Sequence, residues 1–353
     1  MHTRLATVIT AAAVTVAGLA AAPAAVAAPA APLVYHTFNV PGSIETEVIG
    51  INDSGVLTGD YVAKDNEHVL AGFIDAHGHI TSFTYPSPAY FTHSIGINNG
   101  GTAVGFSQDR HTHLYQGWLR SPSGQFTPIN DPAAGTGANQ GTQAQTINDH
   151  GVVVGVYESS TGAVHGFTYH SGHYTTLHVP HAFYGKPGYG VGITCNNNAD
   201  AMVGWVTPTA NNVVEGLVDT TGHVTTFTGP GAGTRTGDAT FANAISNTGA
   251  IVGTSNGPTG VSHGWVLSGS HFTTLADPHA TGAFGTTPEG INRHGAVVGV
   301  YLDSHGLVHG FLVATGITGA ASPVPARPAA TGHTPARQAT RRPQAYRTAM
   351  PAR

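Results

Sequence analysis

The chain is poor in charge, in cysteine and in long apolar runs. Only 9 % of its 353 residues are charged, against about a quarter in an ordinary soluble domain. The straight-chain residues that favour helices are scarce, which excludes a mainly helical fold. The single cysteine, Cys195, excludes any disulfide within the chain. A domain of this size must then rest on a large apolar core. Cys195 itself stands in GITCNNNADAMVGW and reads as a small buried strand residue, not a reactive thiol. Beyond the N-terminal run, no segment is long and apolar enough to span a membrane as a helix.

What is present is glycine, 48 residues of it, about double the usual share. Thr, Ser, Val, Phe and Tyr fill much of the rest. The 40 % of apolar residues alternate with polar ones, which argues for many short strands joined by tight turns and against disorder.

The two ends differ from the middle. MHTR followed by an Ala-rich apolar run and Ala25–Ala27 has the form of a signal peptide, 1–27, cleaved after Ala27. No cysteine follows it, so no bacterial lipid anchor is expected. Export makes the mature chain extracellular, with no membrane attachment after cleavage. Residues 320–353 are Pro, Ala and Arg, with six arginines and no acid. Such a segment is expected to stay disordered. The mature chain ahead of it holds eighteen acids against six bases. An acidic body thus carries a basic tail, a solvated extension or a tether to an anionic cell-wall polymer. The acidic body and the export signal speak against nucleic acid.

Between the ends, in residues 28–319, one unit recurs six times. Its core is IN…G…VG, at Ile51, Ile97, Ile147, Ile193, Ile245 and Ile291. The fourth copy, ITCNNNADAMVG, reads as three residues longer, with Thr194 where Asn is expected. Each unit of about 48 residues reads as four strands: one ending in the core, one after an Asn/Asp–Gly turn, a Gly–aromatic strand such as VHGFTY, and a fourth such as HYTTLHVP. Four antiparallel strands at this period are the mark of a β-propeller blade. The last unit lacks its fourth strand, and LVYHTFNVPG from Leu33 looks like a fourth strand with no unit before it. The predicted fold is therefore all-β: a monomeric six-bladed propeller of four-stranded antiparallel blades, closed by the N-terminal strand completing the last blade.

The blocks GINDSG, HGF and FTTL-x-x-P resemble the HAF-repeat family of secreted bacterial proteins, over about residues 33–314. That resemblance implies export and a repeated β fold. It implies no defined activity and no catalytic residues.

The loops between the fourth and first strands, and between the second and third, vary most. Examples begin at Asp131, Val179 and Gly229. They share one face, where function is expected. The first-strand position facing it holds Glu47, His93, Gln143, Tyr189, Phe241 and Thr287. Two residues on come Ile49, Ile95, Gln145, Val191, Asn243 and Glu289. Aromatic, amide and acidic groups around a channel mouth suit a sugar or a peptide. The candidate ligand-binding set is Glu47, His93, Gln143, Tyr189, Phe241, Thr287, Asn243 and Glu289, and the expected partner is an extracellular glycan or protein. A polysaccharide hydrolase or lyase using Glu47, Glu289 and His93 ranks second, and a structural or adhesive surface protein third. No cofactor and no metal is expected. His165, His263 and His309 share one position, but repetition places them on separate units, away from any common ion.

Overall fold

The computed structural model describes residues 32–318, apart from 87, 180, 181, 183–188, 209–212, 283 and 284, with the side chains of 67 and 68 also left aside. The expected signal peptide (1–27), the basic tail (320–353) and most of the loop after Val179 lie outside the described residues. The rest is an all-β fold of twenty-four strands among the described residues.

Each of the first five repeats folds as its own four-stranded antiparallel meander. The third repeat is typical: Gly141–Ile147, Val153–Glu158, Val164–His170 and His173–Thr176 pair in that order. In the sixth, Thr286–Ile291, Ala296–Leu302 and Val308–Ala314 are followed in the sheet by the N-terminal strand Tyr35–Phe38, antiparallel to the third with Tyr35 opposite Val313. Successive repeats touch through single parallel bridges, such as Leu70 with Phe91 and Tyr115 with Gly141.

Two slots explain why these sheets stack. The large residue after the third-strand glycine is Phe73, Trp118, Phe167, Leu217, Trp265 or Phe311, and all six are wholly buried. Five of them belong to the apolar clusters between sheets, and Trp118 packs edge-on against Phe83 and Phe126. The second-strand glycine meets the first strand at a bulge. A Cβ on Gly155 would collide with the carbonyl of Gln143, and the same holds for Gly59, Gly105, Gly204, Gly253 and Gly299 with their first-strand partners. The glycine is therefore a spatial requirement of every repeat.

The fourth repeat corrects the sequence alignment. Its bulge lies between Ile193 and Cys195, where the third repeat has Ala144 and Thr146. Asn197, and not Thr194, occupies the turn position of Asn148: each Asn Oδ1 accepts the backbone N–H groups two and four residues ahead. Nothing is inserted. Asp200 takes the positive-φ position that Gly fills in the other turns, with φ 56°. Cys195 is buried, as expected, and burial raises its thiol pKa.

Candidate functional site

The first strands of all six repeats surround a cavity of about 90 Å³ lined from the bulge residues to the Asn-Asp-type turns; of the predicted ligand-binding residues Asn243 and Glu289 line it, whereas Glu47, His93, Gln143, Tyr189, Phe241 and Thr287 do not. The two ends of these strands are built differently. At the end of the Asn-Asp-type turns, one pattern runs from repeat to repeat. The side-chain N–H of Asn52 donates to the carbonyl of Asn98, Asn98 to Asn148, Asn148 to Asn197, Asn197 to Ser246, and Asn292 to Asn52, at 3.1–3.2 Å. The next residue builds a second tier. Asp53 Oδ2 accepts from the amides of Asn99 (3.1 Å) and Asn247 (2.9 Å), and Asp149 Oδ2 accepts from Asn99 (2.8 Å) and Asn198 (2.6 Å). Burial pushes the Asp53 carboxyl up, but the backbone N–H of Arg293, the two amides and the Arg293 charge outweigh it and leave the pKa lowered. This end is a hydrogen-bonded floor.

At the other end, anchors are repeated but side chains are not. The threonine before the variable position fixes the incoming loop. Val40, Tyr85, Asp131, Gly229 and Asp277 each donate a backbone N–H to Thr46, Thr92, Thr142, Thr240 and Thr286, at 2.7–3.0 Å. The residue after each threonine then faces its second-strand partner. These pairs are Glu47–Asp60, His93–Phe106, Gln143–Val156, Phe241–Thr254 and Thr287–Val300. In the fourth repeat the pair is Gly192–Trp205. Tyr189 therefore precedes this position by three residues and does not share it, a consequence of the alignment corrected above. The Trp205 ring lies where a Gly192 side chain would stand. The bulge residues Ile49, Ile95, Thr194, Asn243 and Glu289 line the cavity, with Thr194 in the place expected of Val191. Asn243 is held by its amide on the carbonyl of Pro288, at 2.7 Å. Gln145 occupies the same bulge slot, and its buried Oε1 has no protein partner.

The structure brings Glu47 and His93 together, and adds a residue that the sequence reading missed. Asp60, wholly buried, pairs through Oδ2 with His93 Nδ1 at 2.5 Å, while its Oδ1 has no partner. Ligand-capable atoms of Glu47, Asp60 and His93 all lie within 4.8 Å of one another. The His93 ring packs between Phe91, 4.8 Å away, and Phe106, 5.1 Å away. Burial, and then the crowding of acids, perturbs every group. Burial, then the charges of Asp60 and Glu45, push Glu47 up to about 8 against the opposing pull of His93. Burial also raises Asp60, although His93 pulls it back. Burial would lower His93, but Asp60 and Glu47 more than reverse this and raise it. Glu289, from the sixth repeat, is raised by burial and by the charge of Glu47. A signal for Asp60 exists in the sequence: its second-strand slot holds Phe106, Val156, Trp205, Thr254 and Val300 elsewhere.

The three repeated histidines lie apart from this cluster. His309 bonds Asn39 (3.0 Å) and Asp303 (3.2 Å), His165 stacks on Tyr157 with centroids 4.9 Å apart, and His263 is exposed.

No family model matches the sequence, and no curated protein matches it. Among solved structures, the chain is similar to an Aleuria aurantia lectin bound to a fucosylated sugar, at 10% identity over 81% of this chain and 99% of that one, TM-score 0.49. It is also similar to the β-propeller domain of the Trilobed protease of Pyrococcus furiosus (7% identity, 76% and 95% covered, TM-score 0.42) and to a streptogramin B lyase (13%, 80% and 98%, TM-score 0.45). These are likenesses of propeller-like β architecture and assign neither ligand nor reaction.

Proposed function

We propose that the chain is an exported six-bladed β-propeller of the HAF-repeat type, closed by Tyr35–Phe38 on the last blade, that binds an extracellular glycan at the variable end of its first strands. The closure is supported by the pairing of that strand with Val308–Ala314 and by the bond from Asn292 to Asn52. The observation that carries the binding reading is the contrast between the two ends. One end repeats the same type of turn in all six repeats and the same inter-repeat bond in five. The other sets Glu47, His93, Gln143, Phe241 and Thr287 on equivalent positions of a rigid scaffold, with Gln145 Oε1 and Asp60 Oδ1 lacking protein partners. Variation concentrated at one end, with hydrogen-bonding capacity to spare, suits a hydroxyl-rich ligand held by an aromatic face and a few amides or acids.

The test is retention of the full mature chain on insoluble polysaccharides and purified cell wall. Gln143→Ala and Phe241→Ala are expected to lower retention at least about tenfold, the loss of one good polar or aromatic contact. His150→Ala, on an exposed turn at the floor end, is expected to match the parent. No retention of the parent, or mutants that match it, would overturn the reading. The proximity of Glu47 to Glu289 favours a second reading, a polysaccharide hydrolase or lyase. Sugars released into the supernatant would select it.

A further inference from the structure

We propose that Glu47, Asp60 and His93 form a binding site for one divalent first-row transition-metal ion, of the manganese or zinc class. The site does not depend on the glycan reading. Glu47 and Asp60 face each other across neighbouring strands of the first repeat, and His93 reaches them from the second. Their donor atoms fit within 4.8 Å. Ligands around an ion at about 2.1 Å stand roughly 3.4 Å apart, so the Asp60–His93 contact of 2.5 Å must open by roughly 0.9 Å and the widest pair of the set must close by roughly 1.4 Å. Glu47, the half-buried member with the longest side chain, can supply the closing movement.

Three features point to an ion at this place. Asp60 is wholly buried, yet Oδ1 has no partner; a buried carboxylate oxygen without one is costly unless a ligand meets it. His93 is fixed by Phe91, Phe106 and Asp60, so its orientation is set in advance. Finally, Glu47, Asp60 and the nearby Glu289 place three carboxyl groups around one imidazole. One imidazole nitrogen with carboxylate oxygens is a donor set for zinc or manganese, whereas calcium takes six to eight oxygens. Glu47 and Glu289 keep some contact with solvent and provide the entry path.

The experiment titrates the metal-free full chain with Mn²⁺, followed by electron paramagnetic resonance, and with Co²⁺, followed by visible ligand-field absorption. One Mn²⁺ per chain is expected, together with Co²⁺ bands. Asp60→Asn keeps the size of the side chain and is expected to weaken Mn²⁺ binding at least about tenfold and to erase the bands. Near-UV circular dichroism shows that the variant is folded. His93→Gln is expected to act alike, and if it does not fold, Asp60→Asn decides alone. His165→Ala is expected to match the parent, which separates this site from the other histidines. Absence of bound Mn²⁺ and of Co²⁺ bands in the parent would overturn the proposal. So would binding that Asp60→Asn leaves unchanged.

Discussion

The asparagine chain at the floor of the cavity makes a graded prediction, because the protein already contains its own substitution. Asn148 does two jobs. Its Oδ1 accepts the N–H groups of His150 (3.1 Å) and Val152 (3.0 Å), which fixes its own turn. Its Nδ2 donates to the carbonyl of Asn197 (3.1 Å) and to Asp200 Oδ1 (3.2 Å), which ties the third repeat to the fourth. The residue is 4% exposed, so water replaces few of these bonds. At about 1 kcal/mol net for each hydrogen bond, Asn148→Ala should cost about 2–4 kcal/mol. At the same position of the fifth repeat stands Ser246. Its hydroxyl accepts from Ala250 N at 3.0 Å, but it has no amide to reach the sixth repeat. Asn148→Ser should therefore keep part of the turn and lose the tie, costing about 1–2 kcal/mol. Ser246→Asn should supply the missing tie to the carbonyl of Asn292 and gain about 1 kcal/mol.

The assay is urea unfolding at constant m-value, where a shift in midpoint reports stability. The expected order is Ser246→Asn above the parent, then Asn148→Ser, then Asn148→Ala. If Asn148→Ser unfolds with the parent, the inter-repeat amide contributes nothing. If Asn148→Ala unfolds with Asn148→Ser, the turn bonds contribute nothing. Either result would refute the account of the floor.

Two other perturbations test the scaffold. Asp53 and Asp149 have lowered pKa values in the fold, so their stabilisation is complete above the ordinary aspartate value of about 4 and is lost as pH falls below it. Asp53→Asn should flatten this acid limb of the stability profile, as read by thermal unfolding between about pH 2 and 6, and an unaltered limb would sink the assignment. Gly155→Ala drives a methyl group into the Gln143 carbonyl at the bulge. It should cost more than about 3 kcal/mol or abolish folding, whereas Gly172→Ala, in an exposed turn with open space around it, should cost about 1 kcal/mol for its positive φ.

Much of the architecture was legible because it rests on local, repeated chemistry. The period, the four strands of each repeat and the pairing of the N-terminal strand with the last sheet could all be read from turn residues and alternation. The fourth repeat was not legible in the same way. Matching it by Ile193 invented an insertion, since isoleucine is interchangeable with other apolar residues at its site. The residue that physics holds in place is the turn asparagine, whose oxygen and amide both have obligatory partners. Counting from Asn148 to Asn197 would have given the register, with Asp200 doing the work of glycine, and would have moved Tyr189 out of the ring.

The candidate site was half legible for a related reason. Glu47 and His93 were found by comparing equivalent positions along one strand, and the structure brings them together. Asp60 was missed because its importance arises across a strand pair, and no single-strand comparison contains it. In a repeat protein the scaffold supplies its own reference: a slot filled five times by Phe, Val, Trp, Thr and Val states what packing alone requires there. An aspartate in the remaining copy, the first, satisfies none of that requirement, and burial makes its charge expensive. The compensation has to come from outside the slot, and His93 meets only one of its two oxygens. The departure from repetition and the unmet oxygen are thus independent signs of the same thing, a position kept for what it contacts and not for how it packs.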